Sequence, residues 1–161
     1  MSWEVTARLS VGTLALDVAM TGNNTPVALI GPNGSGKTTL LRAIAGAHPL
    51  TAGRIQVGDT TLFDDQGGVC LAPDERRVGY VPQGYGLFPH LTVGGNVDFG
   101  LATKTPRMTR DSRREAVQAQ LDELGMAPMV DRWPTSLSGG EQQRVALART
   151  LILEPRILLL D

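Results

Sequence analysis

Cysteine is nearly absent: Cys70 is the single one in 161 residues, which excludes a disulfide framework and fits a reducing cytoplasm. It lies in the apolar run "GVCLAP", where a small buried hydrophobe is the expected role. Excess charge is lacking too. With 15 Lys and Arg against 16 Asp and Glu, the formal net charge is −1, so the basic footprint of a nucleic-acid binder is missing. No apolar run approaches the roughly 20 residues that a bilayer span needs. The start "MSWEVTARLS" shows neither the charged nor the apolar region of a secretory signal. Membrane association, on this reading, passes through a partner protein.

What is present suits one globular domain, since a chain of this length buries roughly 68–70% of its unfolded surface. In "TLALDVAM", Leu14, Leu16, Val18 and Met20 alternate, which predicts a half-buried antiparallel strand. "RIQVGDTTLF" and "RVGYV" predict further short strands. "PVALI", Pro26 to Ile30, and "RILLL", Arg156 to Leu160, are apolar on both faces, as in strands of a covered parallel sheet. The spacing in "TRDSRREAVQAQLDELG" predicts a helix with Ala116, Val117, Leu121 and Leu124 on one face, capped by Asp111 or Ser112 and ended at Gly125. A second helix is predicted from Gly139 to before Pro155, with Val145, Ala148, Leu151 and Ile152 on its stripe. "LATKTPRMTR" reads as a linker between an α/β part and a helical insertion.

"GPNGSGKT" follows the apolar "PVALI" and precedes the helix-like "TLLRAIAGA". It matches G-x-x-x-x-G-K-[ST] in the strand, loop and helix context that this motif requires. Gly31, Pro32, Asn33, Gly34, Ser35 and Gly36 form a loop whose N–H groups turn inward on a phosphate, and the helix begun by Lys37, Thr38 and Thr39 adds partial positive charge. Lys37 would reach the β- and γ-phosphates, and the Thr38 hydroxyl would bind Mg²⁺. "LSGGEQQR" is a second such place. The Ser138 hydroxyl, the N–H groups of Gly139 and Gly140, and a helix dipole form another anion site. Two phosphate-binding helix starts in one chain make sense if the second completes the pocket of another copy in a head-to-tail pair.

With "YVPQ" ending at Gln83 between the two glycine motifs and "RILLLD" ending at Asp161 after both, the chain resembles the ATP-binding-cassette (ABC) ATPases over essentially its whole length. The resemblance implies an α/β P-loop NTPase fold with an N-terminal antiparallel β subdomain and a helical insertion. Residues 1–83 and 145–161 would form the core with its β subdomain, and roughly 84–144 the insertion with the signature motif. It also implies ATP and Mg²⁺ as cofactors, with Lys37, Gln83 and Asp161 acting at the phosphates. Gln83 would contact Mg²⁺ and the attacking water, and Asp161 would hold Mg²⁺ through water. Such a carboxylate is also what a parallel strand beside a P-loop is expected to supply. Glu141 would face the ribose or adenine of ATP held by the second copy.

"GLFPHLTVGGNVDFGL" resembles importers of the group serving molybdate, sulfate, iron and polyamines, and "LAPDERRVGYVPQ" with it is most like the molybdate systems. That implies a membrane permease as partner, a substrate-binding protein indirectly, no nucleic acid, and a peripheral place on the cytoplasmic face of the membrane. Phe88, Pro89 and Leu91 are either walls of a groove for the permease or, for Phe88 and Leu91, core residues of the insertion. His90 reads as a structural hydrogen-bonder. A cassette switching a soluble partner, or a truncated chain that binds ATP without efficient hydrolysis, is the alternative.

The chain departs from the family pattern twice. Upstream of the P-loop, "ARLSVGTLALDV" has no aromatic to stack on adenine, and Trp3 lies too early, which leaves Val11 or Leu14 to make apolar contact. The family also has, after the Asp161 position, a glutamate acting on water, a loop to the other subunit and a strand to a switch histidine. Without that glutamate, a loss of about 10²–10⁴-fold in turnover is expected. The switch strand lies between the P-loop and Walker B strands in the family. The 161 residues are therefore expected to be the N-terminal part of a longer protein.

Overall fold

The computed structural model describes residues 2–105 and 107–161. They form two compact units, one running to Tyr80 and taking in Asp161, the other Val81–Leu160.

The first unit is built on an antiparallel five-stranded sheet in the order β2-β1-β3-β4-β5. Its strands are β1 (Trp3–Val11), β2 (Leu14–Gly22), β3 (Ala52–Val57), β4 (Thr60–Asp64) and β5 (Val69–Cys70). Strand β1 pairs with β2 from Trp3↔Gly22 to Val11↔Leu14, which puts Leu14, Leu16, Val18 and Met20 on one half-buried face as predicted. Val5, Ala7 and Leu9 alternate inward from β1 and meet Ile55 and Val57 of β3 and Leu62 and Phe63 of β4 in the buried set. Helix α1 (Lys37–Ala45) buries Leu40, Ala43 and Ile44. Its C-terminal carbonyls are tied by the buried Arg76, which donates Nη1 to Ala43 O and Ile44 O and Nε to Leu71 O. Burial holds that guanidinium below its ordinary pKa. Strand β6 (Val78–Val81) follows.

The second unit is helical. Helices α2 (Val93–Lys104), α3 (Arg110–Glu123) and α4 (Gly139–Leu151) pack around Val93, Val97, Leu101, Val117, Leu121, Met126, Leu137, Val145 and Ala148. Strand β7 (Ile157–Leu160) leads directly into Asp161.

Several expectations need correction. Pro26–Ile30 forms no strand, and most of its side chains are exposed, Val27 at 56% and Ile30 at 95%, with Leu29 half-buried. A strand exists by its ladder to a neighbour, and among the described residues none pairs with this segment. In β7, Leu159 is buried but Leu160 is exposed. Cys70 is exposed on the two-residue edge strand β5 rather than buried. Leu101–Lys104 completes α2 instead of belonging to a linker, and Pro106 of that stretch lies outside the described residues. Thr109, not Asp111 or Ser112, caps α3: it has the extended backbone a cap needs, and its side chain accepts from Ser112 N. Asp111 falls in the first turn, where its charge suits the helix dipole. Gly125 ends the helix as predicted, at φ 66.

Candidate functional site

In the first unit, Gly34 at φ 79 and Gly36 at φ 90 turn the chain through left-handed conformations into α1. Only glycine enters that region without strain. A Cβ on Gly36 would also stand 2.5 Å from Leu16 Cδ1, so the β1–β2 hairpin packs directly on the loop. The Lys37 side chain curls back over it, donating Nζ to Gly31 O and Pro32 O at 2.8 Å each. Gly36 caps α1 without a side-chain acceptor, and no acidic residue lies in the first turn. The first turn of α1 therefore supplies no acidic side chain of its own to its positive end, a setting suited to a phosphate.

Thr38, in the first turn of α1, donates its hydroxyl to Asp161 Oδ1 at 2.7 Å. The other oxygen, Oδ2, accepts from the Tyr80 hydroxyl at 2.8 Å. Arg42, one turn along α1, lies close enough to Tyr80 for the phenol to raise its pKa. Burial raises the Tyr80 pKa first of all; Arg42 opposes this, and the bond to Asp161 adds to it. The phenol is therefore neutral and able to donate. A hydroxyl and a carboxylate oxygen are hard donors. Among the described residues no group of three or more His, Cys, Asp or Glu is placed to hold a metal. A donor set this small fits Mg²⁺ held jointly with phosphate oxygens.

The adenine contacts expected from Val11 or Leu14 fall at the hairpin tip, where Leu14 and Leu16 both lie against Gly36. Trp3 is at the opposite end of β1, with its ring over Gly22.

In the second unit, Ser138 caps α4 and forms a capping box with Glu141. The Glu141 carboxylate accepts from Ser138 N and from the Ser138 hydroxyl, both at 2.7 Å, and these bonds hold its pKa below the ordinary value. Glu141 thus turns onto Ser138 within the chain. A Cβ added to Gly139 or Gly140 would meet nothing within 4 Å, and neither residue has a positive φ. The chain's own packing makes no demand for glycine at either position.

Gln83 is exposed, at the start of a turn in which Tyr85, at φ 60, donates its N–H to Pro82 O. Arg149 of α4 holds that turn by donating to Gly86 O at 2.8 Å and Tyr85 O at 3.0 Å. Phe88 is half-buried, with Phe99 at 4.5 Å between ring centroids and Arg149 over its face at 5.2 Å. Phe99 is 49% exposed, and Pro89 and His90 are also exposed. Phe88 and Leu91 are both half-buried, and neither belongs to the buried cluster of the helices.

Sequence reasoning missed three residues that organise these places. Tyr80 sat unremarked inside "RVGYV". Arg149 lay on a helix read only for its apolar stripe. Asn96, fully buried, accepts from Phe88 N and donates to Phe88 O, Leu91 O and Thr92 O, fixing the whole 88–92 turn. The available signal was an amide between Val93 and Val97 in the mostly apolar "LTVGGNVDFGL".

A glycine loop opening onto a helix, with its lysine, its threonine and a strand-end carboxylate in reach, defines a P-loop nucleotide-binding protein. The chain matches the ABC transporter family over residues 18–161 and belongs to that family. It is 46% identical over 149 residues to the molybdenum import ATP-binding protein ModC of Pseudomonas syringae pv. tomato, covering 92% of this chain and 40% of that protein. It is 48% identical over 134 residues to the Fe(3+) ions import ATP-binding protein FbpC of Pseudomonas fluorescens, covering 83% and 36%. It is 51% identical over 138 residues to the sulfate/thiosulfate import ATP-binding protein CysA 1 of Chromobacterium violaceum, covering 84% and 37%. The chain spans about 40% of the length of the first of these relatives. Among solved structures, it is similar to an ATP-binding cassette in a dimeric post-hydrolysis state bound to ADP and Pi. The TM-score is 0.79 and the identity 30%, over all of this chain and 73% of that one. The fold is accordingly the α/β fold of an ABC ATPase cassette.

Proposed function

We propose that the chain binds MgATP and forms part of the ATP-hydrolysing subunit of an ABC importer, energising uptake of molybdate or a related oxyanion through a membrane permease. The observation that carries the binding reading is the Thr38–Asp161 hydrogen bond at the mouth of the Lys37 loop. The oxyanion reading rests on the names of relatives, among which molybdenum, sulfate/thiosulfate and iron importers all stand.

In this reading the loop Gly31 to Thr39, through its N–H groups other than at Pro32, and the start of α1 receive the β-phosphate. Lys37 gives up its two carbonyl partners for the β- and γ-phosphates. Thr38, and Asp161 through water, would hold Mg²⁺, with Gln83 as the further ligand that the family resemblance implies, and Mg²⁺ when bound would supply positive charge at the phosphates. Ser138, Gly139, Gly140 and Glu141 meet ATP bound by a second copy. The absence of any internal requirement for glycine at 139 and 140 supports an approach from outside the chain. Residues 84–144 serve as the insertion that meets the permease, through the surface around Phe88, Pro89, Leu91 and Phe99. No helix among the described residues is long and apolar enough to cross a membrane. A peripheral place on the cytoplasmic face, with a substrate-binding protein across the membrane, completes the reading.

The test is molybdate uptake by cells whose sole copy of this protein is intact or carries Lys37→Ala. Uptake abolished by the substitution is expected. Equal uptake in both would overturn the reading, and loss of sulfate or iron uptake instead would reassign the cargo.

A further inference from the structure

The two oxygens of Asp161 are held from different sides. Thr38, on α1, reaches Oδ1 at 2.7 Å, and Tyr80, on β6, reaches Oδ2 at 2.8 Å. A carboxylate turns easily about its terminal torsion, which has a broad well. One hydrogen bond leaves that rotation open, whereas two from separate elements fix the plane of the group. Tyr80 is suited to the task because a neutral phenol has one proton to donate, and that proton goes to Asp161 Oδ2. Asp161 is thus held at once from β6 and from α1, the helix that carries Lys37 and Thr38.

We propose that Tyr80 is a positioning residue for the metal–nucleotide complex: its hydroxyl holds Asp161 Oδ2 so that Oδ1 stays beside Thr38, where the cation is received. This rests on the nucleotide reading above and adds to it a residue outside the P-loop, Gln83 and Asp161. Groups that orient a ligand commonly govern its affinity without touching the ion. A phenylalanine at position 80 keeps the ring and removes only the donor.

The experiment is calorimetric titration of the chain with ADP, once in Mg²⁺ and once in EDTA, for the unmodified protein and for Tyr80→Phe. The expected result is that Tyr80→Phe binds MgADP about fivefold more weakly, the scale of one hydrogen bond, and binds ADP in EDTA unchanged. With Mn²⁺ in place of Mg²⁺, the electron paramagnetic resonance spectrum of the bound ion is expected to differ between the two proteins. Equal MgADP affinities with identical Mn²⁺ spectra would overturn the assignment. So would equal losses in Mg²⁺ and in EDTA, because Tyr80 would then be supporting the fold of the loop. Failure of the unmodified chain to bind ADP more tightly with Mg²⁺ would remove the underlying reading, an outcome distinct from either.

Discussion

Thr38 and Asp161 are 123 positions apart in the chain and share a 2.7 Å hydrogen bond. The pair ties the first turn of α1 to the residue that follows β7. Replacing Thr38 by Val removes the donor at little change in shape, and the carboxylate keeps only Tyr80. A stability loss of about 1 kcal/mol is expected from urea unfolding without nucleotide, and Thr38→Ser is expected to retain most of it.

The glycines of the loop are constrained unequally. Gly34 and Gly36 both have positive φ, but a Cβ on Gly34 would meet nothing within 4 Å, whereas one on Gly36 would strike Leu16. Gly34→Ala is expected to cost about 1 kcal/mol of backbone strain. Gly36→Ala adds a clash with the hairpin and is expected to cost about 2–4 kcal/mol. Equilibrium unfolding of the two variants measures the difference, and the order Gly36→Ala below Gly34→Ala is the specific expectation.

Asn96 is an inward amide that holds backbone on both sides of Pro89. Asn96→Ala strands the Phe88 N–H and takes the side-chain donor from Leu91 O, while Phe88 O and Thr92 O keep backbone partners, for an expected loss of about 2 kcal/mol. Asn96→Asp is not expected to rescue it, since a carboxylate offers nothing to Phe88 O, Leu91 O and Thr92 O. Urea midpoints of both variants check this.

Glu141 gives a pH dependence of known sign. Its charged form is bound by Ser138, so its pKa is lowered on folding. The stabilisation it provides is present above the ordinary glutamate pKa of about 4.3 and is lost as pH falls through the lower folded value. Between pH 5 and pH 3.5 the unfolding midpoint of the chain is expected to drop more steeply than that of Glu141→Gln. Parallel curves would show that the capping carboxylate does not titrate with folding.

The sheet and the helices were legible because their signals are local. The alternation of Leu14 to Met20 and the stripe of Val145 to Ile152 each need only one periodicity. Pro26–Ile30 misled for the opposite reason: an apolar run states what a strand would bury, while the ladder that makes it a strand depends on neighbours the run does not contain. The site residues with motif spacing were likewise legible as candidates. Tyr80, Asn96 and Arg149 were not, because each acts through hydrogen bonds to groups whose proximity only the fold creates.

The most direct test of the account is nucleotide binding by the loop itself. Titration of the chain with MgATP is predicted to give saturable one-to-one binding that Lys37→Ala weakens at least tenfold, with the unfolding midpoint of the variant close to that of the unmodified protein. Equal affinity of the two proteins for MgATP, or no binding by the unmodified chain, would contradict it.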